Sequence, residues 1–238
     1  MMKHTQAVFS VKFEPIKNIR DYASKIEPVI SDAYMFFTVL PVPEMVLYDV
    51  PRMTAESKSK HSRFSVSLLS ADIVINFDED FSSDYAKVEA YIRERALLAK
   101  KVLEAIDVKE YLYLGVVNNI ELDTKGKKPV EFMRDFVTDK SDPSAREITL
   151  RTVVLEDDKY FIAKQYTTFE RYDIDAFPSA ALISFDKEAK KESGVALSVD
   201  VNSRYGFSYR RNKKSIAEFE TELNNVLNIA KREIQKEA

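Results

Sequence analysis

The chain has 238 residues, 45% of them hydrophobic, enough for one large core or two small ones, and its 36 basic and 39 acidic side chains leave a net charge of −3. That balance excludes a global attraction to nucleic acid or to an anionic membrane, so any such attraction must be local. The absence of cysteine excludes disulfides and thiolate metal sites, and four scattered glycines are too few for a phosphate-cradling glycine-rich loop.

Residues 8–13 alternate, with Phe9, Val11 and Phe13 on one side, and predict a half-buried strand. Residues 16–30 place Ile19, Tyr22, Ala23, Ile26 and Ile30 at helical spacing, with Pro28 set to end or distort the last turn. Strands are predicted at 34–40 and 45–50, separated by Pro41 and Pro43. Residues 51–63 read as an exposed loop carrying a basic patch of Arg52, Lys58, Lys60, His61 and Arg63. Residues 64–69 and 72–77 form a predicted hairpin. A long helix then starts behind Asp84, whose carboxylate can accept from unpaired first-turn amides, and runs to about residue 106.

Residues 111–122 are apolar on both faces for much of their length, the pattern of a central strand. Pro129 opens a short helix with Val130, Phe132, Met133, Phe136 and Val137 on its buried side, and 139–144 reads as a linker. Strands are predicted at 148–155, 160–169, 180–185 and 195–201, the first two joined at 156–159. The last helix opens at Ser215 with Glu218 three residues on, a capping-box pattern.

The two long helices align at a constant offset: Tyr85, Val88, Ile92, Ala99 and Leu103 fall on Ile216, Phe219, Leu223, Ala230 and Ile234. The expected fold is therefore α+β and duplicated, with repeats of strand, helix, four strands and helix over 1–108 and 109–238 in one continuous globular unit. That order of elements resembles the TATA-binding-protein fold, which implies one curved antiparallel sheet with helices on one face; no DNA-recognition residue is matched, and no DNA activity is carried over. The alternative is a helix-grip fold, one sheet curled around a terminal helix. The segments VFSVKFEPI at 8–16, YLYLGVVNNIEL at 111–122 and RYDIDAF at 171–177, with the terminal helix, are also similar to a sporadically distributed family of uncharacterised bacterial proteins of about this length. In the second segment Val116 and Val117 stand where arginine- and tyrosine-type residues are usual. The resemblance implies an accessory role such as defence or counter-defence.

The richest local signal is residues 202–214, where Arg204, Arg210, Arg211, Lys213 and Lys214 are interleaved with Tyr205, Phe207 and Tyr209. Cations for phosphates and rings for bases suit single-stranded nucleic acid, and the same residues suit a protein partner. Asp78, Glu79 and Asp80 read as an acidic turn favouring the dipole of the helix that follows, whereas Asp173 and Asp175 are candidate ligands for a divalent ion in a metal-assisted nuclease or nucleotide-acting enzyme. His4 and His61 are both expected in mobile segments, which argues against a histidine-based triad or zinc site. Ser65, Ser67, Asp72, Asn76, Ser198 and Asp200 are the polar partners of apolar alternations and predict an open sheet face lined by small hydrogen-bonding groups.

The leading expectation is thus a non-catalytic binding protein with no cofactor or metal. Its partner, a nucleic acid or protein, is contacted through Arg204, Tyr205, Phe207, Tyr209, Arg210 and Arg211 or through the open face. A third reading is a structural subunit whose exposed strand edges pair with another chain, so an oligomer is allowed. With no apolar run near the ~18 residues of a membrane span, a cytoplasmic protein is expected.

Overall fold

A computed structural model describes residues 2–43, 45–135, 144–172 and 190–237. Among the described residues nine strands form one antiparallel sheet in the order β2-β3-β4-β5-β1-β7-β10-β9-β8. They are β1 (Lys3–Lys12), β2 (Tyr34–Val39), β3 (Met53–Ser57), β4 (Ser62–Val66), β5 (Ser70–Asn76), β7 (Tyr113–Leu122), β8 (Thr149–Glu156), β9 (Tyr160–Tyr172) and β10 (Lys190–Asn202). β6 (Glu110–Tyr111) and β11 (Lys214–Ser215) make a separate two-stranded ribbon. The helices are α1 (Ala23–Ile30), α2 (Glu79–Ser82), α3 (Tyr85–Ala105), α4 (Pro129–Arg134), α5 (Arg204–Arg210) and α6 (Phe219–Gln235). Among the described residues no helix is long and apolar enough to cross a membrane.

The period-two alternation decides which face each strand buries. Ala7, Phe9 and Val11 of β1, Leu114, Val116 and Ile120 of β7, and Val195, Leu197, Val199 and Val201 of β10 all turn to the same side. α3 and α6 lie side by side on that side, and both apolar stripes are buried: Val88, Ile92, Ala99 and Leu103 on one, Phe219, Leu223, Ala230 and Ile234 on the other. Phe219 stands edge-on to Phe9 of β1 and Tyr111 of β6, at 6.2 and 5.6 Å between ring centres, so one contiguous core runs beneath both helices. Two long helices, α3 and α6, thus cover this face of the sheet.

The helix starts are local chemistry. Asp84 Oδ1 accepts from the amides of Ala86 at 2.9 Å and Lys87 at 3.3 Å, and Asp78 caps α2 by accepting from Asp80 at 3.1 Å. Ser215 and Glu218 form the reciprocal box, opening a 3-10 turn that leads into α6.

Several expectations are corrected. Residues 45–50 are turns rather than a strand, because among the described residues no neighbouring strand offers them a ladder and Arg52 takes two of their carbonyls, donating to Val50 at 2.7 Å and Val46 at 3.2 Å. Arg52 is 0% exposed, so it belongs to no basic surface patch, and the expected loop at 51–63 is largely the β3–β4 hairpin. The predicted 16–30 helix is shorter, a 3-10 turn at Ile19–Tyr22 followed by α1, with Pro28 inside it. The histidines are held in place: His4 is buried in β1 against Tyr85, and half-buried His61 packs on Phe81 and Tyr91. The strand expected at 180–185 and much of the 139–144 linker lie outside the described residues.

Candidate functional site

The face opposite α3 and α6 can be read row by row from the strand registers. One row crosses six strands as Asn76, Gln6, Asn119, Ser198, Gln165 and Arg151. Gln6 donates to Asn76 at 3.0 Å and accepts from Asn119 at 3.2 Å, a side-chain amide ladder. The next row is Val74, Val8, Val117, Asp200 and Ala163, three adjacent valines followed by a carboxylate. A third runs Ser65, Asp72, Ser10, Gly115, Asn202 and Phe161. Asp72 accepts from Ser10 and, at 2.6 Å, from Ser70, and pairs with Lys12 at 3.5 Å. Gly115 is needed there, since a Cβ would sit 2.6 Å from Asn202 Cβ.

The predicted polar face is therefore present at Ser65, Asp72, Asn76, Ser198 and Asp200. Ser67 departs from it: its hydroxyl is buried in the β4–β5 turn, bonded to Ser70 at 2.8 Å. The valine row was passed over because, in a single strand, an apolar residue on the outer face is indistinguishable from noise. Only lateral pairing makes it a stripe.

The aromatic and basic stretch is not a loop. Residues 204–210 form α5, started by Asn202, whose Oδ1 accepts from the Arg204 amide at 3.2 Å, and ended by Arg211 in the left-handed conformation at φ 56°. Its rings clamp it onto the open face, so the helices are not all on one side of the sheet. Phe207 packs on Tyr113 at 6.3 Å, while Tyr205 and Tyr209, one turn apart and 4.5 Å between centres, pack on Phe161 at 5.4 and 6.4 Å.

The cations are engaged locally. Arg204 lies over Phe161 and Arg211 over Phe207, each at 5.6 Å. Arg210 meets Asp158 at 3.3 Å, Lys213 meets Glu14 at 3.0 Å, and Lys214 pairs with Glu222. Tyr209 stays 68% exposed. The surface pairs are weak and exchangeable, so Arg204, Tyr209, Arg210 and Arg211 remain able to meet a partner, whereas Tyr205 and Phe207 serve mainly as anchors.

The two basic stretches do not come together. α5 follows Asn202 of β10, while Lys58 and Lys60 sit on the turn beyond Ser62 of β4, four strands away or roughly 20 Å. Near that turn lies a hydroxyl cluster that sequence reading missed. Tyr34 and Ser62 are 3.1 Å apart, and Ser62 and Ser59 each reach Tyr91 at 3.2 Å. Arg95 lies over the Tyr34 and Tyr91 rings at 5.3 and 4.7 Å. Burial raises the Tyr91 phenol, but its hydroxyl partners and the Arg95 charge outweigh that and hold it below its ordinary range.

Another missed group is Glu222, 4% exposed on α6, with Lys159 at 3.0 Å, Lys214 alongside and Tyr160 donating at 3.3 Å. Burial alone would raise its carboxyl; the two lysines more than offset this and keep it below the usual carboxylate range. Its signal was an acid on the inner stripe of an amphipathic helix. Among the described residues no group of three or more acidic or histidine side chains is arranged to hold a metal ion, and Asp173 and Asp175 lie outside those residues.

Fold and face together define a mixed α+β protein: among the described residues a nine-stranded antiparallel sheet has one face under long helices, and only α5 lies on the other. No family model matches the chain, and no curated protein matches it.

Proposed function

We propose that this is a non-catalytic binding protein that takes a polypeptide partner across the open sheet face, with Arg204, Tyr209, Arg210 and Arg211 of the α5 region as the rim of the contact. The observation that carries this reading is the valine row Val74–Val8–Val117 flanked by hydrogen-bonding rows. Apolar contact bordered by amides and hydroxyls fits a polypeptide. Asp72 and Asp200 on the same face disfavour a phosphate backbone, as does the distance between the basic stretches.

The duplicated, saddle-like reading belongs with this proposal. It is supported by the antiparallel pairing of β1 with β7 near the middle of the sheet, by β5-β4-β3-β2 on one side and β10-β9-β8 on the other, and by the matched stripes of α3 and α6. A cytoplasmic setting and an accessory role in conflict between bacteria and mobile elements extend the resemblance noted above.

The test is copurification from the native host, with and without nuclease, of wild type, Val117→Lys and Tyr209→Ala. A protein that survives nuclease and is lost from both variants supports the reading. Loss on nuclease treatment would replace it with nucleic-acid binding, and equal recovery by all three proteins would refute the contact surface.

A further inference from the structure

Where residues 211–215 pass around the sheet end from the open face to the helix face, they border a cavity of about 750 Å³. Four cations line it: Lys159 from the β8–β9 turn, and Arg211, Lys213 and Lys214. Glu222 sits in the wall between Lys159 and Lys214, and Glu110, Asn212 and Thr221 complete much of the rest. Every lining residue among those described is polar or charged.

Such a wall is unusual for a ligand pocket, which is ordinarily mostly apolar with a few polar groups. It is also a poor means of stabilising a fold. Taking Glu222 and Lys214 out of water costs more than a surface pair returns, and apolar residues of the same volume would serve as well or better. Burial depresses Lys214, and Glu222 offsets this only in part. Buried charges on the wall of an open volume are the arrangement expected of a binding site.

The charges specify the ligand. Glu222 is already balanced by two lysines, and Glu218 is occupied by the capping box, accepting from the Ser215 amide at 3.2 Å. Lys213 meets Glu14 in an exposed pair that is readily given up. Arg211 rests on a ring face and is free to turn a planar fork of donors to an oxyanion. The remaining wall groups, the Glu110 carboxylate, the Asn212 amide and the Thr221 hydroxyl, suit hydroxyl groups. Among the described residues no aromatic ring lines the cavity to take a nucleobase, and its volume exceeds what a bare inorganic anion fills.

We infer that this cavity binds a phosphorylated polyol of the sugar-phosphate class, its phosphate held by Arg211 and Lys213 and its hydroxyls by Glu110, Asn212 and Thr221. The cavity shares Arg211 with the rim of the proposed polypeptide contact but lies apart from the valine row, and it does not depend on the polypeptide reading.

Calorimetric titration of the full chain with glucose 6-phosphate and ribose 5-phosphate, against glucose and inorganic phosphate, tests it. At least one sugar phosphate is expected to bind saturably and at least about tenfold more tightly than glucose or phosphate. Arg211→Ser, at an exposed position, is expected to weaken that binding about tenfold or more, the loss of one charge-assisted contact, with the thermal midpoint unchanged. Lys213→Ser provides a second variant with the same expectation. No heat at 10 mM ligand, equal binding of inorganic phosphate, or full affinity in both variants would overturn the assignment. Val117→Lys leaves this binding intact, so failure of either proposal is read separately.

Discussion

His4 offers the sharpest quantitative test of the packing. It is 4% exposed in β1, its ring centre is 5.2 Å from that of Tyr85, and its Nδ1 has no hydrogen-bond partner among the described residues. Burial lowers its pKa from 6.5 to about 4, because the imidazolium has lost water without gaining an anion. The depressed folded value means that the unfolded chain binds the proton first as pH falls. Stability from the neutral ring is fully present above pH 6.5 and is lost progressively down to about pH 4. At pH 5 the loss relative to pH 7.5 is about 2 kcal/mol by linkage from these two values. Urea unfolding of wild type and His4→Phe at pH 7.5 and pH 5 isolates the effect, since every other titrating group is common to both. The variant should lose about 2 kcal/mol less than wild type on acidification. An identical pH dependence in the two proteins would refute the buried, neutral histidine.

Three further outcomes follow from particular contacts. Asn118, 1% exposed at the centre of β7, has an amide without a hydrogen-bond partner among the described residues; Asn118→Leu should raise stability by about 1–2 kcal/mol in chemical denaturation, and a loss would mean the amide is satisfied. Gly115→Ala should destabilise by about 1–3 kcal/mol, because the new Cβ would meet Asn202 Cβ at 2.6 Å and the Val201 carbonyl at 3.1 Å. Adding Asn202→Gly should recover part of that loss, and strictly additive losses would contradict the contact. Glu222→Gln should cost about 3 kcal/mol by stranding Lys214, whereas Glu222→Leu with Lys214→Met should fold with near wild-type stability, both read from thermal or urea midpoints.

What the sequence determined by itself were the features whose cause is local. The alternation of Phe9, Val11 and Phe13, the doubly apolar run through β7, the stripes of α3 and α6, and the caps at Asp84 and Ser215 each depend on residues within one or two turns, so their spacing sufficed. The tertiary structure alone decided what depends on groups distant in the chain. Arg52 reads as a surface charge until the carbonyls of residues 46 and 50 enclose it. Residues 204–210 contain a glycine, two arginines and a serine and have no strong helix signal, yet Tyr113 and Phe161, from strands 91 and 43 residues before Arg204, supply the surface on which α5 forms. The three valines of the open face belong to β5, β1 and β7, and the charges around the cavity come from three separate segments. Lateral register and the wrapping of residues 211–215 around the sheet end create both surfaces, and neither has a period that a single stretch of sequence can display.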